Sequence, residues 1–147
     1  MSPPDLADFA QPEWNDASSV STALDALAGA HDALSADEAY DRFLWAVGDN
    51  HEGTYYPVVL AVLPWLEQLL ASGSAWCQRA VMESLIDLGG PFAPAQGHET
   101  HEGASVRQAL QAFICTLRPR VAPLVESGDA RADSAVELLE LMDDLAE

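Results

Sequence analysis

A proline-bearing stretch of this chain occurs twice, and the repetition constrains the fold before any single residue is weighed. With Pro64 laid on Pro119 and no gaps, Leu69 meets Leu124, Ser72-Gly73 meets Ser127-Gly128, Ala75 meets Ala130, and Ala80-Val81 meets Ala135-Val136. Val59, Val62, Leu66 and Leu70 fall on Ile114, Leu117, Val121 and Val125. Each copy reads as an apolar helix interrupted by proline, a Ser-Gly turn and a second helix, the pattern of hairpins that bury their apolar faces on one another. The expected fold is all-α, a short right-handed solenoid of about two to three stacked hairpins and about six helices. The repeat-like hairpins span about 57–88 and 104–147 of a single helical domain, 18–147.

Local signals place the elements. Residues 1–17 carry three prolines and no periodicity, and read as a flexible tail that docks, if at all, through Phe9 or Trp14. Ser18 or Ser19 can cap a first helix with Val20, Leu24 and Leu27 on one face, ending near Gly29. Ser35 followed by Glu38 predicts a capping box for a second helix, whose inward stripe is Tyr40, Phe43, Leu44 and Val47. A third helix over about 57–71 is apolar nearly all round and is expected to be covered on several sides. Pro64 should bend it without ending it, because the apolar spacing runs straight through.

A fourth helix starting near Ser74 places Cys77, Val81, Leu85 and Leu88 inward and stops at Gly89-Gly90-Pro91. A long Gly/Pro-rich connection to about Gly103 follows, and its length marks it as a functional candidate. The fifth helix is expected from Ala104 through Leu117, disturbed by Pro119 and Pro123, with room for a restart between them. The sixth, from about Asp129, should pack Val136, Leu139, Met142 and Leu145 while Asp133, Glu137, Glu140 and Asp144 face water. No stretch alternates as a strand.

Charge narrows the partners. Twenty-four acidic residues face six arginines and no lysine, a formal charge of -18, so nucleic acid and anionic membrane are both expected to be repelled. The acids concentrate at the ends: residues 1–52 hold eleven of them with Arg42 alone, and residues 121–147 hold eight with Arg131 alone. Two readings stand: a composition suited to strong brine or set by the host, and an electrostatic binding face for a cationic partner. Cys77 and Cys115 share no motif and read as reduced core cysteines. Neither a signal-peptide pattern nor an apolar run of membrane-spanning length is present, so a soluble, cytoplasmic protein is expected.

One pair of segments bears a family resemblance. His51-Glu52-Gly53-Thr54-Tyr55-Tyr56, followed by Pro64-Trp65-Leu66-Glu67-Gln68-Leu69-Leu70, resembles the repeat unit of bacterial HEAT-like proteins. In those repeats a His-x-Gly-Thr-x-Tyr loop precedes a helix containing Pro-Phe-Leu-x-x-Leu-Leu; here Trp65 stands in the phenylalanine position. The match covers roughly residues 49–88 and extends more weakly through the second copy. Small bacterial members of this kind look like immunity proteins, which protect a cell by binding a toxin. The resemblance therefore implies a cognate toxin domain as partner, and it carries over no set of contact residues.

Candidate chemistry is sparse. His-Glu-Gly occurs at residues 51–53 and again at 101–103, each time just before a helix. His51, His98 and His101 with Glu52, Glu99 and Glu102 could ligate a metal ion, or could cap the following helices with glycine allowing the turn. The histidines lack the helical His-Glu-x-x-His spacing of a zinc hydrolase, so neither metal nor cofactor is expected. No nucleophile elbow, phosphate-cradling loop or histidine-activated cysteine is present, and an enzyme is not expected.

Trp45 is the foremost surface candidate, because helical geometry turns it away from Leu44 toward Glu38, Asp41 and Asp49. It can serve as an aromatic hot spot among carboxylates, or pack against the first helix. Tyr55 and Tyr56 could extend the patch, whereas Trp65 and Trp76 read as core. The partner-binding set is thus Glu38, Asp41, Trp45, Asp49, His51, Glu52, Tyr55, Tyr56, Glu99, His101 and Glu102. The leading expectation is an immunity protein whose acidic surface matches a cationic toxin domain acting in the cytosol. The alternative is a general helical-repeat adaptor or a metal-binding accessory protein.

Overall fold

A computed structural model describes residues 4–147. The protein is all-α in character, and the helix starts follow from local hydrogen bonding. Helix α1 spans Ser19–Ala28 and buries Val20, Leu24 and Leu27 as the spacing predicts. Its start is organised by Asp16, whose carboxylate accepts from the Ser18 amide at 2.8 Å and from the hydroxyls of Ser18 and Ser19. Those bonds hold the Asp16 carboxyl below its usual range.

Helix α2, Ala33–Val47, starts earlier than the Ser35–Glu38 box implies. Asp32 is the cap: its Oδ1 accepts from the Ser35 amide at 2.8 Å, and Ser35 Oγ accepts from the Asp32 amide at 3.1 Å. A capping box is present, but Ser35 is its third helical residue and Glu38 is outside it. Asp outcompetes the later serine because it satisfies an amide one turn sooner and adds negative charge at the positive helix end.

Helix α3, Val58–Ser72, runs unbroken through Pro64, and α4, Ala75–Gly89, follows after Ser74 caps the Cys77 amide at 3.1 Å. Ser74 Oγ also donates to the Ala30 carbonyl at 2.8 Å, tying this turn to the α1–α2 junction. Cys77, Val81, Leu85 and Leu88 are buried, as expected. Burial pushes the Cys77 thiol up to about 11, and both cysteines are free.

The second copy departs from the first. It breaks into α5 (Val106–Cys115), the single turn α6 (Arg118–Val121), a 3-10 turn (Ala122–Glu126) and α7 (Arg131–Leu145). Where α3 carries one proline, this segment carries Pro119 and Pro123. Each removes a donor and crowds the carbonyl four residues back, so two in succession break the segment where one leaves α3 continuous.

Along α7 the inward face is also rotated from expectation. Ala135, Leu138 and Met142 are fully buried and Leu139 and Leu145 are half-buried against the core, so of the four expected inward residues only Val136, 40% exposed, faces out. Steps of three residues drift by about 60° each around a helix, so the spacing 136-139-142-145 cannot stay on one side; alternating steps of three and four can. Asp133, Glu137, Glu140 and Asp144 are exposed as predicted.

α1 packs on α2, α2 on α4, and α4 on α7, while α3 packs on α4, α5 and α6. The two proline-bearing segments therefore touch. One continuous core runs through them, centred on side chains such as Phe43, Leu66, Met82, Leu85, Ile114 and Leu138.

Short strands occur where none was expected. β1 (Gly48–Asp49) pairs antiparallel with β2 (Thr54–Tyr55), β2 pairs parallel with β3 (Ala93–Pro94), and β4 (Thr100–His101) pairs antiparallel with β5 (Ala104–Ser105). Two-residue strands cannot display alternation, which explains their invisibility in the sequence. Their role is to fasten loops: the Ala93 amide donates to the Gly53 carbonyl at 2.9 Å and the Ala95 amide to that of Tyr55 at 2.8 Å. The long 90–103 connection is thereby stitched to the loop between α2 and α3.

The described part of the expected tail, residues 4–17, is laid down as a strap. Leu6 and Phe9 pack on the core, and the Val58 amide donates to the Ala10 carbonyl at 3.0 Å. Trp14 Nε1 donates to the Trp45 carbonyl at 3.0 Å and Asn15 Nδ2 to that of Ala46 at 2.7 Å. These bonds cap the otherwise open C-terminal carbonyls of α2, which is what holds a proline-rich segment without helix or strand of its own. Among the described residues no helix is long and apolar enough to cross a membrane.

Candidate functional site

Trp45 emerges on the surface, 41% exposed, and α1 does not cover it. Trp14 of the strap stacks on it with ring centroids 4.5 Å apart and 20° between planes. Glu38 and Asp41 on the same helix are exposed. Trp65 and Trp76 are partly buried against the core, in keeping with their core reading.

The remaining predicted site residues do not form one patch. Tyr55 is corrected outright: at 1% exposure it belongs to the core, because β2 turns alternate side chains to opposite faces and Tyr55 takes the inner one. That burial raises its phenol above the usual value. Tyr56, on the outer side, meets Trp14 edge-on at 6.2 Å and His98 at 4.6 Å. Asp49 is turned into its own loop, where Oδ1 accepts from the amides of His51 at 2.9 Å and Glu52 at 3.2 Å. His51 and Glu52 are exposed at the tip of that loop.

The histidines are kept apart by aromatic partners. His51 lies beside Trp45 at 5.9 Å, His98 against Tyr56, and His101 stacks on Phe9 at 4.4 Å. Among the described residues no group of three or more His, Cys, Asp or Glu is arranged to hold a metal ion. Nor do the His-Glu-Gly segments cap the helices that follow them. Pro57 precedes α3 without a side-chain cap, and Ser105 caps α5 through the Gln108 amide at 3.1 Å.

Instead both segments make turns. Gly53 takes φ 73° in the first, and the second is a two-residue hairpin in which Glu102 has φ 51° and Gly103 φ 82°. Positive φ at both central residues defines a type I′ turn, for which Asn-Gly is favoured. Glu102→Asn is expected to raise stability by about 0.5–1 kcal/mol, since asparagine tolerates the left-handed region better than glutamate. Urea midpoints of the two proteins check this; an unchanged or lower midpoint contradicts it. Glu99, near this turn, accepts from the Gly97 amide at 3.0 Å, which lowers its carboxyl.

A second surface escaped the sequence reading. A groove of about 540 Å³ runs between α2, α4 and α7, lined by Tyr40, Arg79, Glu83, Asp87, Asp133 and Glu137 among others. Four carboxylates face it against one guanidinium. Arg79 is already engaged: Nε donates to Glu83 at 2.6 Å, the guanidinium lies 3.8 Å from Asp37, and its carbon sits 5.3 Å from the Trp76 ring centre. The Tyr40 hydroxyl donates to Asp87 Oδ2. Burial, and then that carboxylate, drive the phenol above its ordinary value, so it stays a neutral donor.

The available signal was the spacing Glu83–Asp87 and Asp133–Glu137. Each pair is four residues apart and lies on one face of a helix. Which helix each face looks toward is settled only by packing.

Two concavities flank Trp45. One, of about 310 Å³, is lined by Trp14, Asn15, Asp16, Arg42 and Trp45 with the Ser18, Ser19 and Thr22 hydroxyl-bearing residues. The other, of about 450 Å³, is lined by Asp41, Arg42, Trp45, Asn50 and His51. Arg42 therefore stands beside Trp45 within the patch expected to set that ring among carboxylates.

Comparison of the chain with protein-family models, with curated proteins and with solved structures finds no match. The architecture itself defines an all-α domain bearing two surfaces: a carboxylate-lined groove and an aromatic patch roofed by the N-terminal strap.

Proposed function

We propose that this protein works by binding rather than catalysis, as an immunity protein that neutralises a cytosol-acting bacterial toxin. The groove between α2, α4 and α7 is its contact face. The observation that carries the reading is the four-to-one excess of carboxylates in one concave surface whose arginine is already paired. Such a groove attracts and orients a cationic partner, and its curvature gives contact on three helices at once. Packing of α2, α4 and α7 in chain order supports a short stack of HEAT-like hairpins, an architecture that presents concave surfaces of this kind. The chain's charge of -18 adds long-range attraction for a basic target such as the substrate groove of a nuclease.

The test is coexpression with the toxin encoded beside its gene, scored by growth and by recovery of a complex. Protection and a stable complex are expected. The double change Asp133→Lys and Glu137→Lys should weaken the complex at least about tenfold while the circular dichroism spectrum is unchanged. Absence of both protection and complex with the unmodified protein defeats the proposal. Wild-type affinity in the double variant would move the contact away from the groove.

A further inference from the structure

The concavity on the His51 side of Trp45 is assembled from two elements. Asp41, Arg42 and Trp45 come from α2, and Asn50 and His51 from the turn between β1 and β2. None of these five side chains holds a hydrogen bond or ion pair with another described residue. Asn50 Oδ1 is sealed from solvent and accepts nothing. An acceptor without a donor is destabilising.

The charges in this concavity select the ligand. A cationic group offers only donors; it would face Arg42 and leave the guanidinium and the Trp45 indole N–H unmet. An anion offers only acceptors, opposes Asp41, and must approach a protein of charge -18. A neutral molecule carrying both donors and acceptors satisfies Asp41, Arg42, Asn50 and His51 together. The lining comes from α2 and from the β1–β2 turn, so a ligand with polar groups around its ring can meet both. Hydroxyls on a sugar ring do so. The apolar C–H face of such a ring suits the exposed indole, and about 450 Å³ lies within the range of small-ligand sites.

We propose that this concavity binds a neutral saccharide, with a pyranose ring resting on Trp45 and its hydroxyls shared among Asp41, Arg42, Asn50 and His51. The site is separate from the carboxylate groove and stands or falls independently of the toxin reading.

The experiment is titration of the full chain with glucose, N-acetylglucosamine, cellobiose, chitobiose and maltose, with adenosine and arginine as comparators. Amide and indole proton correlation spectra give the readout. Saturable shifts of the Trp45 indole and Asn50 side-chain signals are expected with at least one saccharide. The dissociation constant should rise about tenfold or more in Trp45→Ala and in Asp41→Ala, and stay at the wild-type value in Asp133→Asn, which lies in the groove. Should Trp45→Ala lose its fold, the exposed Asp41→Ala carries the comparison. No saturable shift with any of the five sugars overturns the proposal. So do shifts produced only by adenosine or arginine, and affinity unchanged in a folded Trp45→Ala or in Asp41→Ala.

Discussion

Alanine at Gly48 is expected to destabilise the protein by about 3 kcal/mol or more, at the upper end of overpacking effects. A Cβ there would lie 2.0 Å from the Thr54 carbonyl oxygen and 2.6 Å from the Tyr55 Cα. Both are backbone atoms of β2, so no rotamer change relieves the clash. The backbone at Gly48 is extended, with φ -179°, so the restriction is one of space and not of conformation. Relief requires β1 and β2 to separate. That separation drags Tyr55 out of the core and displaces the Asn50–His51 turn that forms one side of the saccharide site. Denaturant unfolding of Gly48→Ala measures the loss; a midpoint close to the parent's would contradict the close approach of the two strands.

The second large effect is expected at Phe43. Its side chain is fully buried on the inner face of α2, and Phe43→Ala should cost about 3–5 kcal/mol through lost transfer energy and the cavity left behind. Helix α2 presents Tyr40 to the carboxylate groove and Asp41, Arg42 and Trp45 to the aromatic patch. Loosening its inner anchor should therefore weaken both surfaces together. Thermal unfolding and the Trp45 indole signal report the two consequences separately. A loss under about 1 kcal/mol would mean that the neighbouring side chains collapse into the space.

Much of the helical framework is legible one residue at a time. The stripes Val20-Leu24-Leu27 and Cys77-Val81-Leu85-Leu88 are buried as their spacing requires, and Ser74 and Gly89-Gly90 bound α4 as expected. Misreadings arose where two local signals compete. Asp32 displaced Ser35 as the cap of α2, whereas the interruption at Pro119 and Pro123 was expected from the prolines themselves. On α7 the expected Leu139, Met142 and Leu145 do pack inward, but Val136 faces out and the buried Ala135 and Leu138 were missed.

Of the candidate site, Trp45, Glu38 and Asp41 were placed correctly at the surface, while Tyr55 was not. Its inward turn depends on a ladder with Gly48 that two-residue strands do not announce. Arg42, three residues before Trp45, was read only as a lone base; its place between two concavities depends on the strap and the β1–β2 turn.

What the sequence alone determined is the set of helices, their polar and apolar faces, and the negative charge on the outer ones. These depend on hydrogen bonds and spacings within about four residues along the chain. Only the tertiary structure decided that carboxylates of α4 and α7 share a groove with Tyr40, that residues 4–17 lie over Trp45, and that the histidines sit with different aromatic partners. Those outcomes depend on how whole helices settle against one another, and a local periodicity states which face is buried without stating what it is buried against.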